Sequence, residues 1–457
     1  YQGVSRMIHR REMLQVGCSS FFGVGLTGLL ERQAAVAASG ANIEQRAKSV
    51  VLVFLTGGGS HIDMFDPKPD SPEVKGEFDP IQTRVPGMEF GELMTGLADR
   101  ANLLSVVRSM SHKDNRHLSG THNTLTGSIQ KFRGDSNQDK SLNRGDWPCY
   151  GSAIDYLRPA ADGLPGHVTL PHSLIEGTLV WPGQHSGFLG TRFDPFVLKD
   201  DPNKEDFKVN GLSLIEGLDT DRVVKRRSLL DQTFPSEQTL AASASGRRLS
   251  SQFETAYSML TSGRLKKAFR INEESDKTRE RYGRNRLGQT LLLARRMVEA
   301  EVPVIQCNMG IVQSWDTHVQ HFPRLKNDLL PQTDAGVSAL LDDLVGRGLL
   351  DQTLVVVVGE FGRTPIISPL AGQTVPGRHH WAHGYTAVFA GAGVRGGQLI
   401  GKTDATGSYP VTVPWAPSDI GATVYNSLGI DPDSDIHDRL GRPVRLNQGK
   451  VMDVLYS

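Results

Sequence analysis

The sequence predicts an α/β protein with a mainly parallel central sheet flanked by helices. Two apolar, largely β-branched runs, 49–55 and 353–358, have the length and continuity of strands that are buried on both faces. Each run ends in a glycine-containing turn with ionisable residues, which is where open α/β sheets place their sites. From residue 302 onward, strand and helix patterns alternate regularly, as in a parallel sheet with covering helices.

The remaining elements follow from periodicity along the chain. We expect strands near residues 50, 104, 304, 355 and 387, a helix at 331–346 and a last helix at 417–428. Loop-rich sequence from 131 to about 202 is followed by helical patterns, including 247–260 and 278–301, which predicts an insertion or covering layer at about 131–300. Residues 41–457 are therefore predicted to form a single domain.

Composition excludes several classes of protein. Lys+Arg and Asp+Glu both number 50, and a chain without excess cations is not expected to bind nucleic acid generally. No stretch of the sequence predicts a membrane span in the mature protein, because none has about 18 uninterrupted apolar residues. Beyond Cys18, the cysteines Cys149 and Cys307 allow at most one disulfide, which excludes a disulfide scaffold and a multi-cysteine zinc site.

The N-terminal region is typical of an export signal. Arg10 and Arg11 precede a mildly hydrophobic, glycine-rich run that ends in alanines near Ala37. We expect residues 1–40 to be a twin-arginine signal peptide and the mature protein to be periplasmic or secreted. An amphipathic helix and a lipoprotein signal at Cys18 are the alternatives, and the order of arginine pair, apolar run and small residues favours the export signal.

Two segments late in the chain have the side chains of a metal site. Glu360 follows the 353–358 strand, and three histidines fall within five positions at 379–383, of which His380 and His383 are the expected ligands. On an extended loop, Asp316 and His318 point to the same side and can reach one metal ion. A helical turn would instead pair His318 with His321, so this ligand pair stays open.

Two segments near the first strands supply further candidates. His61 and Asp63 follow three glycines at the end of the first strand and are expected near the metal. In the histidine-rich segment 111–127, Ser119 is the candidate nucleophile, with an activated water as the alternative. Arg116 and Arg363 are candidate clamps for an anion, because a guanidinium offers paired donors to its oxygens. Ordinary polar turns are the competing interpretation of these loops.

Several motifs together resemble one family. The export signal, the Gly57–Gly59 loop followed by Asp66-Pro67-Lys68-Pro69, the stretch 315–318 and the stretches 359–365 and 377–381 are similar to the bacterial domain-of-unknown-function family 1501. The resemblance covers essentially the whole mature chain. That family in turn resembles the alkaline phosphatase and sulfatase superfamily, which implies a metal-dependent hydrolase with ligands at strand ends.

The resemblance also implies roles for individual positions. It matches the superfamily's late carboxylate to Glu360, with Phe361 in place of a histidine, and its other ligands to Asp316, His318 and either His380 or His383. No carboxylate stands at Gly57 or Gly58, where a first-strand aspartate is expected, unless Asp63 reaches back. The nucleophile position falls near 117–119. One metal site is thus retained, whereas the second site and the nucleophile are in doubt.

These observations predict an exported metal-dependent hydrolase of phosphate or sulfate esters, acting on a small-molecule or polysaccharide ester. Mixed carboxylate and imidazole ligands favour zinc, with manganese or calcium as alternatives. The competing hypothesis is a non-catalytic, metal-containing binding or assembly protein of the same fold. Both require that the loops at 57–63, 111–122, 314–321, 360–364 and 377–384 converge.

Overall fold

The structure, a computed structural model, describes residues 43–130, 143–159, 164–209 and 262–457, together with the single positions 222, 225 and 229. The predicted signal peptide at 1–40 and the predicted helix at 247–260 lie outside the described residues.

An eight-stranded mixed sheet forms the centre of the protein. Its order is β8-β2-β7-β6-β1-β5-β3-β4. β7 is antiparallel to both of its neighbours, and the other five pairings are parallel. The strands are β1 (Ser49–Phe54), β2 (Ser105–Met110), β3 (His167–Leu170), β4 (Phe196–Val197), β5 (Val304–Asn308), β6 (Thr353–Val358), β7 (Tyr385–Ala390) and β8 (Gln398–Ile400).

Seven longer helices accompany this sheet in the described part of the chain. They are α1 (His117–Thr126), α2 (Tyr150–Leu157), α3 (Gly263–Phe269), α4 (Asp276–Tyr282), α5 (Arg286–Glu299), α6 (Leu330–Gly346) and α7 (Pro417–Ser427). Short helical turns occur at His61–Met64, Pro72–Lys75, Thr95–Ala98 and His321–Arg324, the last followed by a π-helical turn at Leu325–Leu329.

Short two-stranded ribbons decorate the loops. They pair Pro80–Gln82 with Glu89–Gly91, Ile175–Glu176 with Leu179–Val180, Gly362–Arg363 with His380–Trp381, Ser368–Pro369 with Pro376–Gly377, and Asp435–His437 with Pro443–Arg445. The third of these, which we call the site ribbon, carries residues of the functional site.

Side chains of the central strands alternate between two hydrophobic layers. Val51 and Val53 of β1 belong to the cluster that contains Leu291 to Leu293 of α5 and Leu340 and Leu341 of α6. Leu52 and Phe54 belong to the cluster that contains residues of α1, α2 and α7. All six residues of β1 and of β6 are buried, so both faces of these strands are covered and their sequences are continuously apolar instead of alternating with polar residues.

Parallel register brings the strand ends to one edge. Phe54, the last residue of β1, lies opposite Asn308 of β5 on one side and Val358 of β6 on the other. The segments that follow these three strands therefore leave the sheet together. The predicted α/β class, with its mainly parallel sheet between helices and all five expected strands, is confirmed.

The structure differs from expectation in two places. The region 131–300 is more than a covering layer, because β3 and β4 extend the central sheet from within it. The helix expected at 278–301 is interrupted, since Gly283 takes a positive φ of 90° and Asn285 then caps the new helix α5.

None of the helices in the described ranges combines the length and the apolar character that crossing a membrane requires.

Candidate metal centre

The predicted loops meet at the carboxyl edge of the sheet. Glu360, just after β6, accepts a hydrogen bond from Gly57 N at 2.9 Å, and its carbonyl oxygen lies 2.7 Å from His112 Nε2. On the site ribbon, His380 Nδ1 lies 2.8 Å from Asn115 O, and its Nε2 lies 3.1 Å from Asp316 Oδ1. Segments that are far apart in sequence thus share one small volume.

Three side chains at this edge form a group of metal-ligand type. His117, Asp316 and His380 each offer one nitrogen or oxygen atom, and these three atoms all lie within 4.8 Å of one another. His117 is the first residue of α1, Asp316 follows β5, and His380 lies on the site ribbon. Two imidazoles and a carboxylate in this arrangement match the donor set of zinc and similar divalent ions.

Outer partners direct one ring nitrogen of each imidazole towards the centre. A carbonyl oxygen can only accept, so His380 Nδ1 carries the hydrogen that bonds Asn115 O, and the neutral ring presents Nε2 as a lone pair. His117 Nδ1 lies 2.8 Å from Glu360 Oε1 in the same way. Its buried Nε2 makes no well-formed hydrogen bond and lies 3.3 Å from Asp316 Oδ2. Both rings therefore contact a fixed oxygen through the outer nitrogen, as metal-bound histidines typically do.

His318 is a fourth donor at the same place. Its Nε2 lies 3.0 Å from Asp316 Oδ1 and 3.0 Å from His380 Nε2. Its other ring nitrogen, Nδ1, lies 2.7 Å from Nδ1 of His379, and His379 Nε2 lies 3.0 Å from Ser368 Oγ. Asp316 and His318 are thus in contact with each other, whereas His321 contacts Asp63.

The electrostatics of this cluster depend on whether a cation is present. Burial alone would lower the pKa of His117, but the nearby carboxylates of Asp316 and Glu360 outweigh it and raise the pKa to about 9. Burial alone would raise the pKa of Asp316, but His117, His318, His380 and Arg363 hold it far below the usual range. In the metal-free protein, a proton on His117 thus supplies the positive charge between two carboxylates.

Arg363 is part of the scaffold of this centre. The side chain is fully buried, and its guanidinium donates to Gly57 O, to Gly58 O at 3.0 Å and to Asp316 Oδ1 at 2.6 Å. A guanidinium committed in this way fixes Asp316 and does not present the open face that was expected of an anion clamp.

His61 and Asp63 belong to neighbouring buried clusters. His61 Nε2 lies 2.8 Å from Gly407 O. Asp63 Oδ2 lies 2.8 Å from Arg378 Nε and 2.9 Å from His321 Nε2. The structure therefore does not bring these two residues into the His117, Asp316 and His380 group.

The side chain of His383 also lies outside this group. Its ring packs against Trp381, with 5.0 Å between centroids, and against Tyr409 at 5.8 Å. Of the two histidines considered as the late ligand, the structure brings His380 to the cluster.

Ser119 and Arg116 flank His117. Ser119 is 2% exposed, and its hydroxyl has no hydrogen-bond partner among the described residues. Arg116 precedes α1 and contacts Asp114 through both carboxylate oxygens, at 2.8 and 3.0 Å. Ser119 is thus close in sequence to a candidate ligand but is shielded from solvent.

Sequence reasoning missed His117 and His379. His117 was part of the histidine-rich segment 111–127, but nothing in the local pattern distinguishes it from His112 or His122. Its position at the start of α1, facing Glu360, depends on a contact between residues 243 positions apart.

The architecture and the site together define an α/β protein with a His/Asp cluster at the carboxyl edge of its central sheet. Residues 47–455 match the family described as "Protein of unknown function (DUF1501)", and the chain belongs to that family. This confirms the membership expected from the motifs. A search of curated proteins found no match.

Several solved structures are similar to this chain at low sequence identity. The chain is similar to the PsFucS1 sulfatase from Pseudoalteromonas sp. (12% identity, 93% of this chain and 72% of that one, TM-score 0.37). It is also similar to the phosphonate monoester hydrolase SpPMH from Silicibacter pomeroyi (11%, 90% and 77%, 0.35) and to an alkaline phosphatase from the Antarctic bacterium TAB5 (11%, 76% and 92%, 0.29). Similarities of this size carry no argument about the activity of the present chain.

Proposed function

We propose that this protein binds a divalent metal ion through His117, Asp316 and His380, with His318 as a fourth donor, and hydrolyses phosphate or sulfate esters. The observation that carries the proposal is the convergence of ligand atoms whose outer nitrogens are already committed to Glu360 and Asn115. In particular, the neutral His380 ring has no hydrogen on Nε2, yet this atom faces Asp316 Oδ1, and a cation between the two atoms would satisfy both.

The spacing of the donor atoms supports a compact ion. Ligand bonds of about 2.0–2.1 Å in a tetrahedron place ligand atoms roughly 3.3 Å apart. His318 Nε2 lies 3.0 Å from Asp316 Oδ1 and 3.0 Å from His380 Nε2, and His380 Nε2 lies 3.1 Å from the same oxygen. His117 Nε2 lies 3.3 Å from the other oxygen, Asp316 Oδ2. Zinc fits this donor set best, and manganese is the next candidate because it also accepts carboxylate and imidazole ligands.

The roles of the surrounding residues follow from their contacts. A bound divalent ion would polarise an ester oxygen and lower the pKa of a water molecule. We propose that Glu360 and Arg363 act as positioning residues, Glu360 by orienting His117 and Arg363 by holding Asp316. Ser119 stays the candidate nucleophile of the chain, with water as the alternative, and Arg116 stays the candidate anion contact.

The central experiment combines metal analysis with assays on aryl phosphate monoesters, phosphate diesters and sulfates. We expect about one equivalent of zinc per chain, from the one donor cluster that the described residues form, and turnover of at least one ester. Asp316→Ala should lose both the metal and the turnover. The matched control is Asp453→Ala, because Asp453 is an exposed carboxylate. Absence of stoichiometric metal from the wild-type protein would refute the proposal.

A second candidate function is a non-catalytic, metal-containing binding or assembly protein. The burial of Ser119 and the internal contacts of Arg363 favour it, because the candidate nucleophile is shielded from solvent and one of the two candidate anion clamps is engaged within the protein. A metal-loaded protein that turns over none of the esters, but retains a carbohydrate or protein ligand in a pull-down, would establish this function in place of hydrolysis.

We also propose that residues 1–40 direct twin-arginine export and that the mature domain, 41–457, works in the periplasm or outside the cell. Replacing both Arg10 and Arg11 with lysine should retain the protein in the cytoplasm. Unchanged export of this double variant would count against the proposal.

A further inference from the structure

Thr317 lies between two residues of the metal centre and points away from it. Asp316 and His318 contact the donor cluster, whereas the Thr317 hydroxyl lies 2.6 Å from His321 Nδ1 on the opposite side of the chain. Thr317 and His321 are both 1% exposed. The segment 316–318, here called the first ligand segment, is therefore held from behind by a buried hydrogen bond.

His321 passes this contact on to a carboxylate. Its Nε2 lies 2.9 Å from Asp63 Oδ2, and a carboxylate can only accept, so Nε2 carries the hydrogen. In the neutral ring, Nδ1 is then bare and accepts the hydrogen bond that Thr317 donates. Thr317 therefore donates to His321, and His321 donates to the charged carboxylate of Asp63, which fixes the direction of both hydrogen bonds.

Asp63 also contacts the segment that carries His380. Arg378 Nε lies 2.8 Å from Asp63 Oδ2, and Arg378 Nη2 lies 3.2 Å from Asp63 Oδ1. Arg378 is fully buried and stands two residues before His380 in the second ligand segment, 377–381. Backbone contact between the two segments is close as well, because a Cβ added at Gly377 would lie 2.1 Å from His318 O.

We propose that Asp63 is a positioning residue that holds the two ligand segments at a fixed separation. One arm runs through His321 to Thr317, and the other is the ion pair with Arg378. The inference rests on the proposed metal site and assigns a function to a carboxylate that is not itself in the donor cluster. Contacts behind the metal ligands set the geometry of those ligands. The contacts from Asp63 through His321 to Thr317, and from Asp63 to Arg378, should therefore determine how tightly the centre binds zinc.

The test uses Thr317→Val, which removes the hydroxyl while keeping the shape. Zinc affinity, measured by competition with a chromophoric chelator, should fall about 10- to 100-fold, the usual cost of losing an outer-shell partner. The visible absorption spectrum of the cobalt-substituted protein should change too, because it reports ligand geometry. Thr317→Ser retains the hydroxyl and should restore both properties.

Thr290→Val is the matched control, since Thr290 is a fully buried threonine in α5 whose hydroxyl bonds Arg286 O. This variant should keep wild-type zinc affinity and spectrum even if it lowers stability. Should Thr317→Val not fold, Asp63→Asn decides by the same two measurements.

If Thr317→Val keeps the zinc affinity and the cobalt spectrum of the wild type, the proposed role of Asp63 is overturned while the metal site stands. The same result in Asp63→Asn has the same meaning if Thr317→Val does not fold. A wild-type protein that binds no zinc would instead overturn the proposed function, and this inference with it.

Discussion

His117 Nδ1 lies 2.8 Å from Glu360 Oε1, so the helix that follows β2 is joined to the end of β6 by a buried hydrogen bond. Glu360 is completely buried and also accepts the backbone N–H of Gly57, from the loop after β1. A single carboxylate thus aligns three segments around the site. Its place behind His117, outside the donor cluster, indicates that it orients a ligand.

This relationship predicts the effect of Glu360→Gln. The amide has the same shape but no charge, so it should bind the His117 N–H more weakly and lower zinc affinity about 10- to 100-fold without abolishing binding. Chelator competition measures the change. Glu77→Gln, at an exposed carboxylate, is the control and should have no effect. Complete loss of metal in Glu360→Gln would indicate that Glu360 is itself a ligand.

Metal binding should release a proton in a pH-dependent way. In the metal-free protein the pKa of His117 is about 9, so near neutral pH zinc must displace a proton from this ring. Affinity should therefore rise about tenfold per pH unit up to pH 9 from this residue alone. Calorimetry in two buffers of different ionisation enthalpy measures the released protons. Affinity that is constant between pH 7 and 9 would contradict this protonation state.

The same proton should stabilise the metal-free fold. The pKa of His117 is raised above its ordinary value of 6.5, so the added stability is fully present below pH 6.5 and is lost as pH rises through about 9. The melting temperature of the metal-free protein should fall across this window. Saturating zinc should remove this contribution, because the ion replaces the proton.

Gly377→Ala should disturb the contact between the ligand segments. The new methyl group would lie 2.1 Å from His318 O, and overpacking of this kind costs about 1–3 kcal/mol of unfolding free energy. The matched control is Gly346→Ala at the end of α6, where a Cβ meets nothing within 4 Å. That substitution should be neutral or stabilising by up to about 1 kcal/mol, because alanine favours helix. Urea denaturation of both variants checks the prediction.

Both described cysteines should be unreactive in the native protein. Cys149 and Cys307 are free and buried, and burial raises the pKa of Cys149 to about 12 and that of Cys307 further. Because the thiolate is the reactive form, a thiol reagent should label neither residue in a Cys18→Ser variant until the protein unfolds. Two thiols should then react. Labelling of either one in the native state would contradict its burial.

The strand ends could be predicted from sequence because they combine an unbroken apolar run with glycine. This holds for β1 and β6 and led directly to Glu360 and the loop at 57–63. β3 and β4 escaped prediction because they have four and two residues, too few to distinguish from loop. Their pairing is decided by neighbouring strands, which is tertiary information.

In the candidate site, too, local contacts could be predicted from sequence and tertiary contacts could not. Asp316 with His318 was predictable from i, i+2 spacing on an extended loop. The engagement of Arg363 was not, because it depends on the carbonyls of Gly57 and Gly58 turning inward. A high density of histidines predicted the region of the site correctly. It did not predict that the His117 side chain points into the donor cluster while the His383 side chain packs against Trp381.

The donors of the metal cluster are divided among widely separated parts of the chain, with His117 in the first third and His380 in the last. A nascent chain that has been synthesised only to residue 350 would hold His117, Asp316 and His318 but not His380 or the Glu360 that orients His117. Capture of the ion would thus require that synthesis has passed the second ligand segment. On a translating ribosome, zinc retention should appear once the region through the second ligand segment has emerged from the exit tunnel.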